Sequence, residues 1–160
     1  MQEIKLILIC IVALLSSTRG YAQKTGPLPD EYTVDGIALG MNFGEYDYFE
    51  LGYFKYTILN NQVTLGKAYT LENNYKNKVW TFVPKVGFWF SIAKINLGAH
   101  LPFAINTQGD HSLKIRPEIG FGHRRFKINY ANNITFYNRD MLHQSKHLLT
   151  LHLFLEAADE

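Results

Sequence analysis

The sequence predicts an all-β protein built as an eight-stranded antiparallel up-and-down barrel, and three observations carry that prediction. Polar and apolar residues alternate one by one over most of the chain, which is the period of a strand and not of a helix. The chain has 160 residues, 47% of them hydrophobic and only 19% charged, with 10 Tyr, 11 Phe and 2 Trp. That is room for one domain and too little for a multidomain enzyme. Finally, the mean hydropathy is −0.12, and beyond the first two dozen residues no apolar run reaches the roughly 18 to 20 residues of a spanning helix. A helical membrane protein is therefore excluded. The formal charge of +2 gives no reason to expect nucleic acid as a partner.

The chain opens with Lys5, an unbroken apolar stretch Leu6–Leu15, and then Ser16, Ser17 and Thr18. Positive, apolar and small-polar regions in that order predict a secretory signal peptide over residues 1–22, cut after Ala22 with Gly20 at the −3 position. The only cysteine, Cys10, lies inside it, so no disulfide is expected downstream. A leader follows over 23–31, where Gly26, Pro27 and Pro29 break regular structure. The barrel is assigned to 32–156 and a short tail to 157–160.

Each strand is justified by its own alternation. Tyr32–Gly44 sets Ile37, Leu39, Met41 and Phe43 against Gly36, Ala38, Gly40 and Asn42. Asp47–Leu59 sets Phe49, Leu51 and Tyr53 against Glu50 and Gly52. Val63–Leu71 sets Leu65, Tyr69 and Leu71 against Thr64, Gly66 and Thr70, with Lys67 on the apolar side. Val79–Ile92 sets Trp80, Phe82, Val86, Phe88 and Phe90 against Thr81, Lys85 and Gly87. Lys94–Asn106 is strict over a dozen residues, with Ile95, Leu97, Leu101, Phe103 and Ile105 opposite Lys94, Asn96, Gly98 and His100. Ser112–Gly122 sets Leu113, Ile115, Ile119 and Phe121 against Lys114, Arg116, Glu118 and Gly120. Arg125–Asn132 sets Phe126, Ile128 and Tyr130 against Lys127 and Asn129. His147–Leu155 closes the series with Leu149, Leu151, Leu153 and Leu155 against Thr150 and His152. Tight turns at one end and longer connections, Glu72–Lys78, Asn106–His111 and Asn133–Lys146, at the other predict a meander with two different ends.

Side-chain volume predicts which face is inside. Eight strands enclose a lumen just wide enough to be filled by side chains. Glycines accumulate on the polar faces and bulky aromatics on the apolar ones, so the polar face fits the crowded interior. The expected architecture is then a transmembrane β-barrel, its lumen filled by a network of Glu50, Lys85, Lys94, His100, Arg116, Glu118 and Lys127 with both signs of charge. On a lipid face such charges would cost about 2 to 4 kcal/mol each near the bilayer midplane for Arg or Lys. Lys55, near a strand end, can snorkel. Lys67 requires a local irregularity, for which a bulge at Gly66 is the expectation. Pro84, Pro102 and Pro117 each remove a ladder donor and predict bulges or strand ends. Tyr46, Tyr48, Trp80, Phe103, Tyr130 and Phe136, near strand ends, suit interfacial belts.

The run from Lys114 to Gly122, followed by a tight turn and Phe126–Tyr130, resembles consecutive hairpin strands of small Gram-negative outer-membrane β-barrels of the OmpA/OmpX-like kind in the porin superfamily. The resemblance covers residues 32–156. It implies export to the cell outer membrane, an N-terminus in the periplasm and loops at the cell surface. It says little of activity, because such barrels serve as adhesins, anchors or small enzymes. The last strand departs from the usual terminal aromatic, since Leu155 is followed by Glu156 and a polar tail.

For chemistry, His143, Ser145 and His147 form the densest cluster. The His-x-Ser spacing resembles the signature of outer-membrane lipid A deacylases, which implies Ser145 as nucleophile and His143 as base, both facing outward toward lipid. Lys146 stands where that family has Asn, and neither Asp140 nor Glu156 is placed as a clear third member. His143 and His147 have zinc-like spacing for a helix, but the segment is not helical and no third ligand is evident. No metal and no cofactor are expected. The leading expectation is a non-enzymatic outer-membrane barrel with a packed lumen and a structural or surface-binding role, its partners being outer-membrane lipid and an extracellular protein or glycan reached through the loops. Two alternatives stand beside it: lipid A acyl hydrolysis through Ser145 and His143, and a secreted soluble ligand-binding barrel.

Overall fold

The computed structural model describes residues 31–59, 63–123, 125–138, 141 and 144–157. The expected signal peptide with Cys10, the leader up to Asp30, the turn at 60–62, Asp140, His143 and the last three residues of the tail lie outside the described residues. Nine strand segments follow in chain order: β1 Glu31–Phe43, β2 Tyr48–Leu59, β3 Val63–Lys76, β4 Val79–Ile92, β5 Ile95–Asn106, β6 His111–His123, β7 Phe126–Asn132, β8 Ile134–Tyr137 and β9 His147–Glu156.

Every pairing is antiparallel, and β1 pairs with β9 to close the sheet. β7 lies between β6 and β9, while β8 resumes after Asn133 and runs along β6 alone. The two segments are one stave broken at Asn133. The result is the eight-stave up-and-down barrel that alternation predicts.

Along each stave burial alternates with period two, and its sense is inverted relative to a soluble domain. In β4 the outward Trp80, Phe82, Phe88, Phe90 and Ile92 are exposed, while the inward Thr81, Lys85 and Ser91 are buried. β5 repeats this with Ile95, Leu97, Leu101, Phe103 and Ile105 outside and Asn96, His100 and Asn106 inside. Soluble barrels fill themselves with the apolar set.

Several local expectations are corrected. Residues Glu72–Lys76 are not loop: β3 continues through them, with Glu72 and Asn74 turned into the lumen and Tyr75 out. A lumen-facing strand carries polar residues that read as loop when the fold is unknown. The turn shrinks to Asn77 and Lys78, both with positive φ (54° and 64°), the backbone that lets a two-residue hairpin follow the twist of its strands. Ala93 and Lys94 do the same between β4 and β5, at φ 47° and 82°. Lys94 is therefore exposed in a turn and takes no part in the lumen.

Lys67 faces outward in an unbroken register, opposite Lys55 on one side and Phe88 on the other, so the bulge expected at Gly66 is absent. Gly66 instead makes room inside: a Cβ there would meet the Trp89 ring at 2.2 Å. The prolines open gaps rather than bulges. Partners are skipped around Pro84 between β4 and β5 and around Pro102 between β5 and β6, with no residue inserted, and Pro117 sits opposite Ala99 in register. A register shift lies at Leu113/Lys114, where β6 meets β8. Tyr48 is buried in the lumen and is no part of a belt. Trp80, Phe103, Tyr130 and Phe136 are exposed. At the end opposite the chain termini rings touch from stave to stave, Tyr75 on Trp80 and His111 on Tyr137 among them.

Candidate functional site: a closed polar lumen

The lumen is layered. Near the end that carries the chain termini it is apolar, filled by Ala38, Phe54, Tyr56, Ile58, Ala68, Trp89 and Phe154. Near the other end a second apolar layer gathers Tyr48, Val83, Ala104, Ala131, Met141 and Leu148. Most of the buried charge lies between them, with Lys127 against the first layer and Lys114 buried as well.

That middle layer joins most of the staves. Glu50 of β2 accepts from Lys85 Nζ at 2.9 Å, from Asn42 Nδ2 at 3.1 Å, and lies 3.1 Å from His152 Nε2. Lys85 of β4 also reaches Glu72 of β3 at 2.7 Å. The guanidinium of Arg116 on β6 donates to both oxygens of Glu72, Nη1 to Oε1 and Nη2 to Oε2. Its Nε donates to Asn133 Oδ1 at 2.8 Å. Glu118 takes Asn129 Nδ2 at 3.1 Å and lies 3.3 Å from His100 Nε2. The His100 ring lies over Gly87, where a Cβ would come within 1.8 Å of it. All these side chains are buried. Such a network stands only if its charges compensate, since an unpaired ion in so dry a space costs several kcal/mol.

Six residues that the sequence assigns to the lumen, Glu50, Lys85, His100, Arg116, Glu118 and Lys127, thus lie together inside, and Lys94 lies apart in its turn. Lys127 makes no ion pair among the described residues. Its ammonium sits 4.1 Å from the Trp89 ring and 5.1 Å from that of Phe154. Sequence reasoning missed Glu72, which looked like loop, and Asn133, whose role depends on the strand break beside it. His152 and Asn129 carried the signal of inward parity but were not singled out.

Between the charged layer and the aromatic one lies a cavity of about 20 Å3, lined by Glu50, Trp89, Asn96, His100, Lys127 and neighbouring side chains. Several of its polar atoms lack a protein partner, Thr70 Oγ1, Trp89 Nε1, Asn96 Nδ2 and Glu118 Oε1 among them. Both donors and acceptors are represented, and the space suits a single water rather than an organic ligand. Apolar layers lie on either side of it.

Ser145 does not face lipid. It is buried, and its hydroxyl accepts from Tyr46 N at 2.8 Å and donates to Tyr46 O at 2.9 Å. Asn133 Nδ2 holds the Ser145 carbonyl at 2.7 Å. The hydroxyl is engaged twice by backbone and turned inward, so the outward placement expected for Ser145 is corrected. His143 lies outside the described residues. His147 is exposed at the start of β9, with Nδ1 2.6 Å from the Tyr130 hydroxyl. Among the described residues no three His, Cys, Asp or Glu side chains converge as metal ligands.

No family model and no curated protein matches the sequence. Among solved structures, the chain is similar to the Yersinia pestis outer membrane protein Ail in a phospholipid bilayer nanodisc, at 11% identity and a TM-score of 0.47, covering 78% of this chain and all of that one.

Proposed function

We propose that this chain is an outer-membrane β-barrel that works as a closed, rigid anchor and offers its loop end as a contact surface for an extracellular protein or glycan. The inverted barrel carries the reading: charged and amide side chains fill the lumen, and Ile, Leu, Phe and Tyr cover the outside of nearly every stave. So much exposed apolar surface is untenable for a soluble monomer, whose largest patches are a few hundred Å2. Lipid resolves it. Staves of 12 to 14 residues, tilted as an eight-stranded barrel requires, reach about 30 Å along the axis, the thickness of a hydrocarbon core. Closure between β1 and β9 removes the open sheet edges that lipid would not tolerate. The same inversion argues against a soluble ligand carrier, whose apolar face lines a cavity.

At the loop end the exposed described residues include Glu45, Asp47, Lys76, Lys78, Gln108, Asp110 and Lys146, a mixed polar surface of the kind that engages proteins or glycans. Just before β9, Ser145 is held by the Tyr46 backbone and by Asn133. Fractionation of the full chain in a Gram-negative host tests the location. Recovery in the outer membrane, resistance to alkaline wash and heat-dependent gel mobility are expected; detergent-free solubility with no mobility shift would refute it. For the contact role, replacing 107–110 by a minimal turn should abolish cell attachment to an immobilised glycan or matrix protein with the barrel intact, and unaltered attachment would sink it.

A further inference from the structure

We propose that Lys55 and Lys67 form a binding site for the phosphate of an anionic phospholipid, on the outer face of the barrel at the end that carries the chain termini. The inference rests on the membrane reading above.

The two lysines are direct register partners in the β2–β3 ladder. Both side chains point outward and are exposed. Directly opposed side chains in such a ladder have Cβ atoms about 4.5 to 5.5 Å apart, and like charges there repel. A neighbouring carboxylate could relieve them. Asp35 does lie opposite Lys55 on the β1 side, but its Oδ2 takes the Tyr53 hydroxyl at 2.7 Å. Among the described residues neither lysine makes an ion pair. Asp35 offsets at most one of the two positive charges, so the Lys55–Lys67 pair keeps a net positive charge on the outer face.

Their depth selects the occupant. One outward row nearer the barrel middle stand Ile37, Tyr53 and Tyr69, and beyond them Leu39, Leu51 and Leu71. One row nearer the end stand Thr33 and Thr57, whose hydroxyls meet at 3.2 Å, with Leu65. Toward the end the outer face turns polar on β1 and β2 at Thr33 and Thr57, while β3 and β4 stay apolar through Leu65 and Phe90, so the lysine row lies at the edge of the apolar band, where a long side chain reaches the headgroups. The groups of negative charge held at that level by the bilayer itself are lipid phosphates. Long lysine stems can lie along the apolar surface and present both ammonium groups to one phosphate, with the Tyr53 and Tyr69 rings flanking the glycerol region.

The test uses the full chain folded in nanodiscs of equal parts phosphatidylglycerol and phosphatidylcholine, then native mass spectrometry of the lipids it retains on release. Phosphatidylglycerol should be retained preferentially. Each of Lys55→Gln and Lys67→Gln should reduce that preference about fivefold, equivalent to ~1 kcal/mol per lysine near a membrane surface. Lys94→Gln, an exposed lysine in a turn at the same end, should leave it unchanged, and Lys55→Arg should keep it. Heat-dependent mobility reports folding of every variant. Equal retention of the two lipids, or a preference that survives in the Lys55→Gln/Lys67→Gln double variant, would overturn the site alone. A native chain that enters no disc overturns the membrane reading and this site with it.

Discussion

Arg116 grips both carboxylate oxygens of Glu72 across the lumen, and the same carboxylate receives Lys85 from a third stave. Removing the guanidinium leaves a buried Glu72 with one partner instead of two. Arg116→Met should therefore lower stability by about 3 to 5 kcal/mol, the range for breaking a buried pair from one side. Removing both charges together, in Glu72→Gln/Arg116→Met, should recover much of that loss. Urea titration in vesicles, read by gel mobility, measures both, and simple additivity of the single losses would contradict a direct coupling.

Lys127 is the counter-example, since its ammonium rests on Trp89 and Phe154 with no carboxylate at ion-pair distance. Lys127→Met deletes a buried charge without orphaning a partner. The variant should unfold at the same urea concentration as the native barrel or a higher one. A loss as large as that of Arg116→Met would show that the cation has an unrecognised partner.

Gly66→Ala should disturb the aromatic layer, because the new methyl group would lie 2.2 Å from the Trp89 ring. Overpacking of this kind costs about 1 to 3 kcal/mol. Trp89→Leu in the same chain should relieve it. The pair is read from unfolding midpoints, and an unaffected Gly66→Ala variant would mean that the ring moves freely.

Ser145→Ala removes two hydrogen bonds to the backbone of the half-buried Tyr46 and should cost on the order of 0.5 to 1.5 kcal/mol, the net worth of an ordinary hydrogen bond. Mass spectrometry of lipid A from cells expressing the native and variant chains should give identical acyl patterns. A pattern that depends on Ser145 would restore the hydrolase reading.

A lumen filled at three levels should carry no ions. In planar bilayers the purified barrel is expected to give no steady conductance, whereas discrete current steps that scale with salt would show that the apolar layers open.

How far the sequence reached follows from what a period of two encodes. Alternation in Ile95–Asn106 and His111–His123 reports which residues share a face, and glycine against aromatic volume reports which face is inside. Hence the strand number, the closed meander and six of the lumen residues were legible. Three features were not. Glu72, Asn73 and Asn74 look alike in a loop and in a lumen-facing strand, because both surround polar side chains with polar groups. Lys94 obeyed the parity of its strand, but the two-residue turn consumed it, and turn length depends on register across the hairpin. Lys67 broke parity, which pointed to a bulge, but the ladder runs through it in unbroken register opposite Lys55 and Phe88, and cross-strand register is not contained in a linear sequence.

The sequence by itself therefore determined the all-β meander and its inverted faces, since both follow from local periodicity and side-chain size. Only the tertiary structure decided which charges meet. Glu50, Lys85, Glu72 and Arg116 come from four different staves, and their contacts are set by closure between β1 and β9 and by the stagger of every ladder between. Likewise Ser145 looked outward by counting from its neighbours, but it precedes β9 and is held inward by the Tyr46 backbone and Asn133, contacts that strand parity does not encode.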